Sequence, residues 1–168
     1  AVALGAQTPS VSNLSTRAQV GTGGDAIFAG FNIGAGGSKT ILVRAAGPAL
    51  TGFGVGGALA DPRIELYSGS TKLSENDNWG TPIGGAPPVT AATFSAVGAF
   101  GFGAGSRDAA LLATLAPGTY SAVVTGVNNA TGVALIEVYE VGASAARLTN
   151  ISARAQVGTG GNILIPGL

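Results

Sequence analysis

Twelve residues near the start of the chain return near its end. Asn13-Leu14-Ser15-Thr16-Arg17-Ala18-Gln19-Val20-Gly21-Thr22-Gly23-Gly24 recurs as Asn150-Ile151-Ser152-Ala153-Arg154-Ala155-Gln156-Val157-Gly158-Thr159-Gly160-Gly161, 137 residues later. The likeness continues in kind from Asp25–Phe31 to Asn162–Leu168, so that 11 of 19 positions are identical. Most of the other pairs exchange one apolar side chain for another. Residues 10–31 read as the first hairpin of the unit, and residues 147–168 carry the pattern to supply its strands again. The chain therefore divides into an arm at 1–9, a domain at 10–146 and a tail at 147–168.

Two arrangements follow. Either the tail is the stump of a following unit in a tandem array, or it is a donor that offers its strands to a neighbouring molecule. Main-chain hydrogen bonds give affinity to a strand added at a sheet edge, and a head-to-tail contact that does not close on itself builds a filament. The tail is apolar and Gly-rich, with Arg154 its only charge between Asn150 and Leu168. Such a segment is an aggregation hazard when unpaired. The donor arrangement is the expectation taken forward. Ile151, Val157, Ile163, Leu164 and Ile165 would be its anchors, replaying Leu14, Val20, Ala26, Ile27 and Phe28, with Arg154 and Leu168 completing the set. Full burial would contribute ~1.5–3 kcal/mol per anchor before entropy costs.

Between the two copies nearly every segment reads as strand. Arg63-Ile64-Glu65-Leu66-Tyr67 alternates polar and apolar, the period of a half-buried strand. Thr40–Ala45, Ala109–Leu115, Thr119–Thr125 and Val133–Val141 are further extended runs, separated by turn residues such as Ala116-Pro117-Gly118. On Val133–Val141, Leu135, Glu137 and Tyr139 face opposite to Ile136, Val138 and Glu140. Only Ala91–Phe94 supports a turn or two of helix, with glycines on both sides. The expected fold is all-β: an antiparallel β-sandwich, jelly-roll-like, with an exchanged terminal strand or hairpin.

Composition narrows the function. The chain of 168 residues has no Cys and no His, which removes Ser-His-Asp and Cys-His catalysis, thiol redox chemistry and the usual zinc ligands. Lys plus Arg equals Asp plus Glu at 8 each, and charged residues are 10% of the total, against roughly 25% in ordinary domains. Without a basic excess, nucleic acid is not an expected partner. Mean hydropathy is +0.43, yet Gly and polar residues interrupt every apolar run, so no membrane span is expected. The absence of Met and the small apolar opening Ala1–Gln7 suggest an upstream segment removed as in export.

Few motifs point to chemistry. Gly34-Ala35-Gly36-Gly37-Ser38-Lys39-Thr40 lacks the Gly before Lys and the helix after it that a phosphate loop needs, and reads as a hairpin turn. Gly52–Gly57 is a glycine loop. Glu75, Asp77 and Asn78 form the densest polar cluster and are a weak candidate for Ca²⁺, which takes six to eight oxygens; an Asx-rich turn is the simpler expectation. Glu65 and Glu137 read as ordinary outward carboxylates on alternating strands, without a pair fit for glycoside hydrolysis. Arg107-Asp108 reads as a local ion pair or turn, and Arg17 and Arg154 as repeat-equivalent structural residues. Three Asn-x-Ser/Thr tripeptides, at Asn13, Asn129 and Asn150, matter only if the source glycosylates exported proteins.

The order Ile64-Glu65-Leu66-Tyr67-Ser68-Gly69, Leu73–Trp79, Leu115–Tyr120 and Ala134–Tyr139 resembles the bacterial pre-peptidase C-terminal type of β-sandwich, a secreted accessory domain. The Asn-Leu-Ser-Thr-Arg opening and Gly105–Ala109 are similar to tandem β-repeats of large bacterial exported proteins. Both resemblances imply export and a non-catalytic role. The expected function is a structural subunit of an extracellular bacterial filament or surface fibre, its partners copies of itself, with no cofactor. The alternative is a carbohydrate- or calcium-binding accessory module of a larger secreted protein, for which Trp79, Tyr67, Tyr120 and Tyr139 are the rings a sugar platform would need.

Overall fold

Alternation of apolar with polar residues fixes which face of each strand turns inward, and glycine- or proline-containing turns fix where each one stops. The computed structural model describes residues 11–160 and 163–168; the arm at 1–9 lies outside them. The described residues form ten strands: β1 Asn13–Val20, β2 Ile27–Ile33, β3 Lys39–Ala46, β4 Pro62–Ser68, β5 Thr71–Asn76, β6 Ala109–Leu115, β7 Gly118–Gly126, β8 Gly132–Val141, β9 Leu148–Arg154 and β10 Ile165–Gly167. They form two five-stranded sheets, ordered β10-β1-β8-β3-β6 and β5-β4-β7-β2-β9. All strand pairs are antiparallel. The molecule is a β-sandwich.

The core between the sheets takes every second residue of the strands. Leu14, Ala18 and Val20 of β1 meet Ile27, Ala29, Phe31 and Ile33 of β2, with Ile41, Val43, Ile64, Leu66, Val124, Ile136 and Val138 around them. The first sheet is covered on its other face too. There Leu42, Ala46, Ala110, Val133 and Tyr139 pack under Leu50, Val89, Phe94 and Phe102, carried by the long connections β3–β4 and β5–β6. The unbroken apolar run of β3 has this cause: a strand buried on both faces has no polar side to alternate with. The helix expected at Ala91–Phe94 is α1, Ala91–Ala96, capped by reciprocal bonds between Thr90 and Thr93.

The first repeat copy differs from expectation. It is not a hairpin, because β1 and β2 lie in opposite sheets. The Gly21 N–H donates to the Asp25 carbonyl at 2.8 Å, closing a turn that carries the chain across the sandwich so that Val20 and Ile27 both point into the core. The unit is an arch. Gly34–Ser38, expected as a hairpin turn, likewise crosses between sheets, from β2 to β3. It uses Gly36 and Gly37 at φ 117° and 104°, a region open to glycine and costly for other residues. The expected domain boundary falls between Ala146 and Leu148, both buried in the main core, so the tail is built into the sandwich.

Candidate assembly interface

The tail folds back as a second arch and supplies one outer strand to each sheet. Its first strand, β9, lies against β2, and its second, β10, lies against β1. The registers are reciprocal. Phe28 faces Arg154, Ala29 faces Ala153 and Gly30 faces Ser152; across the other edge, Ile165 faces Arg17, Pro166 faces Thr16 and Gly167 faces Ser15. Replacing each residue by its repeat equivalent turns one set of pairs into the other. Each arch therefore presents its first strand to the other's second strand, at one register, as around a twofold axis. Gln19 bridges to Gln156, its own copy, and so marks where that axis passes.

Side chains follow the same symmetry. A Cβ on Gly30 would stand 2.6 Å from Ser152 Oγ, and one on Gly167 would stand 2.5 Å from Ser15 Oγ. Both glycines are needed for strand approach beside a serine, which explains their presence at equivalent places. The Arg154 guanidinium lies 3.9 Å from the Phe28 ring centroid, a cation–π contact whose symmetry partner, Arg17 beside Ile165, lacks the ring.

At the root of the tail, Glu140 holds the chain in place. Its carboxylate accepts the Leu148 N–H at 2.6 Å and Arg147 Nε at 3.1 Å, with the buried Lys39 Nζ 3.4 Å away. The Gly34 N–H donates to the Arg147 carbonyl at 2.9 Å. These bonds seat the start of β9 beside the β2–β3 crossing.

The expected anchors separate into two groups. Ile151 and Leu164 are partly buried and pack against the main core. Val157, Ile163, Ile165 and Leu168 are exposed. Of their equivalents in the first arch, Val20, Ala26 and Phe31 are buried and Phe28 is half-buried, with β8 flanking β1 and β7 flanking β2. Among the described residues the tail strands have no such outer neighbour, and their far edges are open.

The calcium candidates each have protein partners. Glu75 sits on β5 between Arg63 and Lys72, and the Lys72 ammonium with the Arg63 guanidinium holds its carboxyl below the ordinary carboxylate range. Asp77 accepts a hydrogen bond from Asn78 Nδ2 at 3.1 Å. Among the described residues, no group of three or more His, Cys, Asp or Glu is placed to share a metal ion. Nor do the tyrosines and tryptophan form one platform: Tyr120 and Tyr139 are buried, while Trp79 leans on Phe94. Among the described residues no helix is long and apolar enough to cross a membrane.

Two polar residues differ from their expected roles. Asp108 does not pair with Arg107, which reaches Asp61 at 3.2 Å. Asp108 is fully buried and accepts the N–H groups of Gly47 at 2.7 Å and Ala49 at 3.2 Å, fixing the β3–β4 connection. Glu137 is not an outward carboxylate. Residues 89–102 cover its face of the sheet, and it lies 3.5 Å from Arg44 Nε and accepts the Tyr139 hydroxyl at 2.6 Å. The Arg44 carbon Cζ stands 4.4, 4.5 and 4.1 Å from the ring centroids of Phe94, Phe100 and Phe102. Burial pushes the Glu137 carboxyl up and the Arg44 guanidinium down, each opposed by the charge of the other. With Arg44 wholly inaccessible, the cluster fastens the covering layer to the sheet and offers no approach to a substrate. Sequence reading missed it because an Arg in an apolar strand and three Phe residues 50 or more positions away carry no local signal of meeting.

No known protein-family model matches the chain, and no curated protein matches it.

Proposed function

We propose that the chain is a structural subunit that assembles head-to-tail by β-strand complementation into an extracellular bacterial filament. The observation that carries this reading is the seat of the tail: a second copy of the arch sequence fills the edges of both sheets through main-chain pairing. That pairing does not depend on which molecule supplies the strands. A tail released from its own edges would fit those of a neighbour, leaving its own to be filled in turn, and the series stays open. The exposed Val157, Ile163, Ile165 and Leu168 favour further burial in an assembly over solvation. Export is part of the proposal and rests on the resemblance to secreted β-repeats.

Negative-stain microscopy of the intact chain beside a version ending at Ala146 tests it. Fibres from the first and none from the second are expected. A truncated chain that still forms fibres, or an intact chain that forms none over a range of concentration, overturns the proposal.

A further inference from the structure

We infer that the edges of β1 and β2 on which the tail lies form a self-complementary docking surface whose partner is the same arch of a second copy of this chain, with the tail as its stand-in within one molecule. The inference rests on the reading that these edges accept strands, and not on the filament.

The reciprocal register is its basis. Because the tail is a copy of the arch and pairs with it at one repeated register, the arch already meets its own sequence around a twofold axis. Substituting the second copy's arch for the tail sets Thr16 against the partner's Ala29 and Ser15 against the partner's Gly30, twice over. A contact of this kind closes as a symmetric pair.

Strand order leaves room for the rest of the second molecule. On β1 and β2 the sides away from the tail are occupied by β8 and β7. Among the described residues the corresponding sides of the tail strands are open, so the body of a second copy lies outward. Each sheet of one molecule would then run on into the opposite sheet of the other.

Three departures of the tail from the arch sequence, at Pro166, Ile165 and Leu168, weaken the fit. Pro166 replaces Ala29 and removes a backbone N–H. Ile165 replaces Phe28 and denies Arg17 the aromatic face that Arg154 enjoys. Leu168 is 82% exposed where Phe31, its equivalent, is 1% exposed, and β10 pairs over only three residues. A second arch restores the N–H, the ring and a fully formed strand. The tail is thus the weaker occupant of a surface that its own parent sequence fits better.

Gln19 supplies the test, because only a twofold contact sets a residue against itself, and the chain has no native Cys. Gln19→Cys is placed in the full-length chain together with Ile151→Asp and Leu164→Asp, which loosen the tail and leave the other residues of β1 and β2 unaltered. Under mild oxidation, a disulfide-linked dimer of twice the monomer mass is expected, with native circular dichroism. Arg63→Cys in the same background, on β4, is expected to stay monomeric. A folded monomer with no cross-link through position 19, or equal linking at both positions, overturns the inference. If the loosened chain does not fold, the otherwise unaltered Gln19→Cys chain is incubated with a synthetic peptide of residues 11–33 carrying the same substitution. A mixed disulfide supports the docking surface, and its absence overturns it. Fibres without the cross-link at position 19 would sink this inference alone; the cross-link without fibres would sink the filament alone.

Discussion

Val20 and Val157 stand in the same local sequence, Arg-Ala-Gln before and Gly-Thr-Gly-Gly after, yet the first is wholly buried and the second 65% exposed. The difference between these first strands is not one of pattern, since β1 and β9 alternate inward and outward residues in the same phase. It is one of neighbours. In the first arch β7 and β8 cover the far edges and the opposite sheet closes the core; in the tail, among the described residues, only one edge of each strand is paired. Identical residues are thus worth more in one place than in the other, and among the described strands β10, with its three-residue ladder, is held most lightly.

The largest expected effect is at that valine pair. Val20→Asp buries an uncompensated carboxylate and should cost ~4 kcal/mol or more, enough to unfold a marginal domain. Val157→Asp should stay within ~0.5 kcal/mol. Urea midpoints of the two variants measure the gap, and equal losses would break the comparison. Next come Leu14→Ala, expected to cost ~2–5 kcal/mol, and Ile151→Ala, expected to cost about 1 kcal/mol because its side chain is only partly covered. Both are read from the same unfolding curves.

A smaller effect probes the reciprocal glycines. Gly30→Ala drives a methyl into Ser152 Oγ and should cost ~1–3 kcal/mol, recovered when Ser152→Gly is added. A double-mutant cycle gives the coupling, and an additive pair would mean that the strands do not approach as described. The smallest is a gain: Ile165→Phe gives Arg17 a ring, worth ~0.5–1 kcal/mol at an exposed site. It should slow amide exchange in β10 while leaving β9 unchanged.

Much of this was readable in advance, for identifiable reasons. Alternation in Arg63–Tyr67 and the Pro117-Gly118 turn are local signals, and the strands and turns there fall where they point. The 137-residue repeat located the tail as a strand-supplying segment. What it did not reveal was that Val20 and Ile27 face a common core from opposite sheets, since an arch and a hairpin share the same alternation and the same glycines. The covering layer was hidden for a related reason. Glu137 alternates properly and looks solvent-facing; only the fold of residues 89–102 over the sheet, with Arg44 among three rings, makes it interior. Long-range contact, not local pattern, decided every expectation that changed.

The unequal grip of the two tail strands has a mechanical consequence. A pull applied at Leu168 loads β10 first, and its three-residue ladder gives way before β9, which holds β2 through six paired residues and is bolted at its root by Glu140. The 14 residues 155–168 then run out as slack, roughly 50 Å when taut, with the fold behind them intact. Under tension the tail is a shock absorber in series with a latch, and a molecule so loaded lengthens before it lets go.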